Sequence, residues 1–150
     1  MVGLPNTRVI PNGWSQHHQP TADGQMTAEG TITRPGPPIF NELFGFDVLP
    51  EPTPVYAGPM RVQRMQPSAS AAAHMVADRE VMIREYAVHL PLSVNGVVTA
   101  PVQVNDLVTV TGCDDDPHIV GRALRVRDVR LGTLAWQRDL ICEDLASTTR

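Results

Sequence analysis

Several short stretches of the chain alternate apolar and polar residues with a period of two, the pattern of strands that turn one face to a core and the other to water. Thr27 to Arg34, β-branched and bounded by turn signals, predicts a first strand. Val55 to Gln63 sets Met60 and Val62 against Arg61 and Gln63, with Pro59 predicting an edge or a bulge. Over Val81 to Leu90, Met82, Tyr86, Val88 and Leu90 share one face, interrupted by Arg84, while Val81, Ile83, Ala87 and His89 share the other. Leu107 to Thr111 points Val108 and Val110 inward. Leu124 and Val126 alternate with Arg125 and Arg127, but Val129 and Leu131 fall one residue out of step, so a bulge is predicted near Arg127-Asp128. A last strand is predicted over Leu134 to Cys142, with Leu134, Trp136, Leu140 and Cys142 on a core face that Arg138 interrupts.

The segments between these strands carry their own chemistry. Asn95-Gly96 joins two apolar pairs and tolerates the positive φ angles of a two-residue type I′ turn, which predicts a tight hairpin. Asp116 before Pro117 predicts an N-cap with proline at the first helical position, and Gly121 a left-handed stop after one turn. Ile39 to Pro54 holds every Phe of the chain, with Gly45, Pro50, Pro52 and Pro54, and reads as a loop pinned by its aromatics. Pro67 to Ala73 has no side chain large enough to build a core and reads as a mobile loop in preference to the alternative, about two helical turns over Ala71 to Arg79. Residues 1–26 are turn-rich and aperiodic, with apolar anchors at Val9, Ile10 and Trp14, and read as an extended arm that needs a surface to lie on.

These elements predict an all-β chain: a small β-barrel with long loops, an extended N-terminal arm and at most one or two short helical turns. The division is an arm over 1–26, one barrel domain over 27–146 with a long loop at 66–76, and a polar tail at 147–150. Composition agrees, since 14 prolines and 5% aromatics suit strands broken by turns better than a helix bundle.

Charge and reactive groups narrow the function. A net charge of -4 gives no global basic footprint for nucleic acid, so contact with DNA is expected to be loose or local. All 12 basic residues are Arg, which reads first as the codon usage of a GC-rich genome. No run of about 20 apolar residues spans a bilayer, and the N-terminus lacks the order of a secretory signal, so a cytosolic setting is expected. Cys113 and Cys142 lack a CxxC spacing and read as reduced, small hydrophobes. The histidines at 17, 18, 74, 89 and 118 have no metal-ligand spacing, and Asp114 to Asp116 reads as a helix start without the Gly and distal Glu of a calcium loop. No nucleophile, phosphate-cradle or dinucleotide motif occurs. No catalytic residue, metal or cofactor is expected.

Five segments taken in order carry a resemblance: Val55-Tyr56-Ala57-Gly58-Pro59-Met60-Arg61-Val62, Tyr86 to Pro91, Asn105-Asp106-Leu107-Val108-Thr109-Val110, Asp116-Pro117-His118-Ile119-Val120-Gly121-Arg122, and Arg138-Asp139-Leu140-Ile141-Cys142-Glu143. Together they resemble the head-to-tail stopper, or head-closure, family of actinobacterial phages. The resemblance implies a virion protein, assembled in the host cytoplasm, that forms a hexameric ring under the portal and adaptor. Such a ring retains the packaged DNA, docks the tail terminator or tail tube, and lets DNA pass at infection without specific binding; no membrane is involved.

On that reading, Pro67, Ser68, Ala69, Ser70, Ala71, Ala72, Ala73 and His74 are expected to gate the channel. Arg122, Arg125, Arg127, Asp128 and Arg130 are expected to pair with acids across a subunit boundary, where bidentate guanidinium–carboxylate geometry fixes register. Val9, Ile10 and Trp14 are expected to reach the adaptor. The rival readings are another tail-completion or tail-tube ring protein and, from a different class, an oligonucleotide-binding barrel that uses Arg125 and Arg127.

Overall fold

A computed structural model of the chain describes residues 10–66, 74–76, 79–81 and 84–145, with the backbone alone at 74–76 and 79–81. In chain order the elements are helix α1 (Trp14–Asp23), strands β1 (Ala28–Arg34), β2 (Ile39–Asn41), β3 (Phe46–Val48), β4 (Thr53–Arg64), β5 (His74–Val76), β6 (Arg79–Val81), β7 (Glu85–Pro91), β8 (Ser93–Val94), β9 (Val97–Val98) and β10 (Leu107–Cys113), the 3-10 turn η1 (Pro117–Ile119), and strands β11 (Ala123–Arg130) and β12 (Gln137–Asp144). Six strands close into a barrel in the order β1-β10-β11-β12-β7-β4, every neighbour antiparallel. The other six make three separate two-stranded hairpins. The expected all-β barrel is therefore what the chain forms.

Alternation builds the core. Ile32, Met60, Val88, Leu90, Val108, Val110, Leu124, Val126, Leu140 and Cys142 are fully buried, each on the inward face of its strand. Closure demands that the strands bend, and the register shifts where the pattern slips: between Val126 and Asp128 on β11, which leaves Arg127 as the extra residue, and between Glu29 and Gly30 on β1. The turn chemistry is also realised. Asn95 and Gly96 take φ 50° and 79°; Asp116 Oδ1 accepts from the His118 N–H at 3.0 Å; Gly121 stands at φ 82°.

Four expectations are corrected. Residues 14–23 of the supposed extended arm form a ten-residue helix with Pro20 inside it. Its ends are stabilised by Gly13 in the left-handed region and by the Gly24 N–H donating to Pro20 O at 2.9 Å, and its Trp14 and His18 rings pack on Trp136, so tertiary contact offsets a poor helical sequence. The strand expected over Val81 to Leu90 is split: Val81 ends β6, paired with β5, and the barrel strand β7 begins at Glu85. The loop expected at 66–76 accordingly gives way to β5 at His74. Trp136 and Leu134 precede β12 and are not core; Leu134 is exposed and Trp136 lies half-buried under α1.

Antiparallel closure also sorts the connections into two ends. Arg34, Thr53, Leu107, Arg130, Gln137 and Pro91 bound their strands at one end, here the upper. From it project the β2–β3 and β8–β9 hairpins, the segment 99–106 and the link 131–136. The lower end carries the β4–β7 connection with β5–β6, and η1 between β10 and β11.

Candidate interaction surface

The β2–β3 hairpin is the least protein-like part of the surface. Asn41 organises its tip: its carbonyl accepts from the N–H groups of Phe44 at 3.2 Å and Gly45 at 2.8 Å, and its Oδ1 accepts from the Leu43 N–H at 3.0 Å. Cross-strand register puts Ile39 opposite Val48 and Asn41 opposite Phe46, so these four share a face, while Phe40 lies with Asp47 on the other. Phe44 folds back to within 5.7 Å of the Phe46 ring. Water reaches both faces: Phe40 is 61% exposed, Phe44 67% and Leu43 92%. The loop expected to be pinned by its aromatics is thus a hairpin whose aromatics point outward, because three-residue strands have no second layer to cover them.

The rest of the upper end continues the theme. Val97 and Val98 on β9, Val104 before β10, and Leu131 and Leu134 between β11 and β12 are all exposed. Among the described residues, every strongly exposed large apolar side chain except Ile10, Trp14 and Val120 belongs to this end. The largest apolar patch of a monomer is usually about 300–600 Å² and is often functional. Here three Phe rings, each with roughly 150–250 Å² of surface, stand beside Ile39, Leu43, Val48 and Leu49 on one hairpin.

The five residues expected at a subunit boundary lie along β11 and just before it. Arg122 Nη1 donates to the buried Asp144 carboxylate at 2.7 Å, and Arg125 and Arg127 share Glu143 at 3.7 and 3.1 Å, so these three have acids of their own chain on β12. Asp128 and Arg130 are exposed past the bulge, Arg130 at the upper end. Of the expected gate, Pro67 to Ala73 lie outside the described residues, and the His74 backbone opens β5. Of the expected arm contacts, Val9 also lies outside them, Ile10 is exposed, and the Trp14 ring lies 5.0 Å from Trp136 of its own barrel, tilted by 50°.

Between α1 and the barrel runs an open groove of about 450 Å³, lined among others by His18, Gln25, Arg61, Trp136 and Asp139. Arg61 Nη1 donates to Gln25 Oε1 at 2.6 Å and closes its lower part. Nearby, His89 Nδ1 lies 2.7 Å from Asp139 Oδ1 and 2.9 Å from the Gln137 amide nitrogen. That arrangement orients an imidazole, but among the described residues no Ser, Thr or Cys is hydrogen-bonded to it. No three His, Cys, Asp or Glu side chains among the described residues group as a metal ion would require.

Two arrangements escaped the sequence reading, one polar and one apolar. Arg34 donates Nε and Nη2 to the two oxygens of Asp106 at 2.9 Å each and Nη2 to Pro101 O at 3.1 Å; the Gln103 N–H donates to the same carboxylate at 2.8 Å. Asp106 is 1% exposed, and its carboxylate holds the Arg34 guanidinium above its ordinary pKa. The other is the exposed hairpin itself. A density of Phe in one segment was a visible signal, and what misled was the assumption that aromatics seek the chain's own core.

A model of a family of unknown function (DUF6093) matches residues 18–143, which take in most of α1 and nearly the whole barrel. No curated protein matches the chain. Among solved structures, the solution structure of protein SF1141 from Shigella flexneri 2a is similar, with a TM-score of 0.53 and 11% identity over 82% of this chain and 96% of that one. At that identity the likeness concerns the fold alone.

Proposed function

The chain belongs to the DUF6093 family, and we propose that its role is structural: a stopper ring subunit that closes the DNA-filled head of a long-tailed phage beneath portal and adaptor and docks the tail. The observation that carries the reading is the polarity of the barrel, whose upper end gathers nearly all the exposed apolar side chains. Apolar area gathered at one end of a subunit marks a surface that meets a partner. A ring part needs this asymmetry, because head-to-tail contacts within the ring and contacts with the layers above and below use different surfaces of one subunit.

The remaining features are compatible with that role. Gating by Pro67 to His74 is supported by topology, since the strands on either side, β4 and β7, hold both ends of the connection at the lower end, away from the platform. A net charge of -4 suits a passage that DNA crosses without binding. The protein works without turnover, in the neck of the virion, after assembly in the host cytoplasm. The oligonucleotide-binding alternative has less support, because Arg125 and Arg127 already share Glu143 and the exposed rings stand beside Glu42 and Asp47.

Deleting the reading frame from the phage or prophage that encodes it tests the proposal. DNA-filled heads that leak and carry no tails are expected. Intact tailed particles from the deletion overturn the proposal, and cross-links that stack the chain on itself along the tail favour the tail-tube alternative.

A further inference from the structure

We infer that the β2–β3 hairpin is one half of the contact between neighbouring copies of this chain, and that it seats on the upper corner of β11–β12, at Arg130, Leu131 and Leu134, of the next copy. The inference rests on the ring reading and divides its upper end, giving the hairpin and the corner at Leu131 and Leu134 to the neighbouring copy and leaving Val97, Val98 and Val104 for the adjoining layer.

Topology supplies the first argument. The hairpin springs from the paired strands β1 and β4, and in the order β1-β10-β11-β12-β7-β4 the pair β11–β12 lies diametrically across the barrel. Both patches belong to the upper end. In a ring whose axis follows the barrel axis, every copy has its upper end at one height. A closed head-to-tail contact needs two different, complementary patches on opposite sides of one subunit, and these two sit at the same level on opposite sides.

Charge supplies the second. From Pro35 to Met60 the chain contains Glu42, Asp47 and Glu51 and no Arg, Lys or His. The opposite side presents Arg130, exposed beside Leu131, while Arg127 is held by Glu143 of its own chain and the exposed Asp128 lies between the two arginines. The acids next to the rings also choose between partners, since they repel the phosphates of nucleic acid and of anionic lipid and favour a protein surface with a guanidinium group beside an apolar floor, as Arg130 with Leu131 and Leu134 provides. Extent supplies the third. Seven large apolar residues of the hairpin and its flank, Ile39, Phe40, Leu43, Phe44, Phe46, Val48 and Leu49, are exposed together, and with both faces bare the hairpin suits a seat against another body.

The test places the photo-reactive residue benzoylphenylalanine at position 44 of the full chain, with irradiation at the highest concentration the protein tolerates and mass spectrometry of the products. Cross-links from position 44 to residues 127–136 of another copy are expected. Reversing Glu42→Arg with Asp47→Arg should lower the dimer yield on the order of tenfold, and adding Arg130→Glu to that chain should recover part of it. An unchanged melting temperature shows that each variant folds. Dimers cross-linked through other segments, products confined to one chain, or transfer of the label to phosphatidylglycerol vesicles in place of dimers overturn the inference. It fails separately from the ring reading: tailless heads with no such dimer leave the stopper and discard this contact, whereas the dimer from a protein absent from virions does the reverse.

Discussion

Arg34 and Asp106 are 72 residues apart in sequence, yet their fork of two 2.9 Å hydrogen bonds ties the end of β1 to the segment that leads into β10. With Asp106 almost wholly buried, replacing Arg34 by Ala strands a carboxylate that only backbone N–H then satisfies. A clear loss of stability is expected, moderated because Arg34 itself is partly in water, and read as a lower urea midpoint than wild type. Tyr56 shows what the Tyr-x-Gly-Pro segment is for. Its hydroxyl donates to Pro59 O, three residues on, over Gly58 at φ 153°, where an added Cβ would lie 3.0 Å from the Tyr56 hydroxyl oxygen. Burial, with the Glu29 charge, pushes the Tyr56 phenol up to about 12, and burial alone pushes the Cys142 thiol up to about 12. Both groups are charged more readily in the unfolded chain, whose values are 10.0 and 9.0. The stability linked to them is therefore complete below about pH 9 and is lost as pH climbs to about 12. Denaturation midpoints against pH should fall over that window, and Tyr56→Phe should lower the unfolding free energy by about 1 kcal/mol at neutral pH while flattening the upper part of the fall. A midpoint that holds to pH 12 would refute it.

Elements with strictly local causes were legible. The Asn95-Gly96 turn, the Asp116 cap and the Arg127 bulge each depend on a few adjacent residues whose chemistry admits little else. Several residues of the segments that carry the phage resemblance are of this kind: Gly58, Asp116, Gly121, Leu140 and Cys142 cap, turn or fill the barrel, which is work that the architecture alone requires of them. Helix α1 was illegible because its inner stripe, Trp14, His18, Thr21, Ala22 and Gln25, has helical spacing but is mostly polar, and Pro20 discourages the reading. Its attachment depends on a ring stack. Trp136→Ala should accordingly release it, and deuterium exchange at the amides of His17 to Asp23 should rise well above wild type while the barrel amides keep their protection. Equal exchange in both proteins would mean that the Trp14–Trp136 contact does not hold the helix.

The two-ended character of the molecule could not be read from pattern, because it arises only when antiparallel closure brings residues 39–49, 97–104 and 131–134 to one rim. At this scale the prediction concerns partners and not folding. Changing Phe40, Phe44 and Phe46 together to Ser should leave the melting temperature within a few degrees of wild type, since none of the rings supports the core, and should abolish incorporation into particles. Scanning calorimetry with particle immunoblotting reads both halves. A large loss of stability would mean that the hairpin belongs to the fold after all. Closure has another effect on the same molecule. Strand β7 joins β4 only over Arg61 to Arg64, so from Thr53 to Met60 the far side of β4 lacks a strand among the described residues. Pro54 and Pro59 stand on that stretch and withhold the amide hydrogens that an intruding chain would grip. Copies that meet along this edge can therefore do so through side chains, in contacts that come apart again, without joining backbone to backbone.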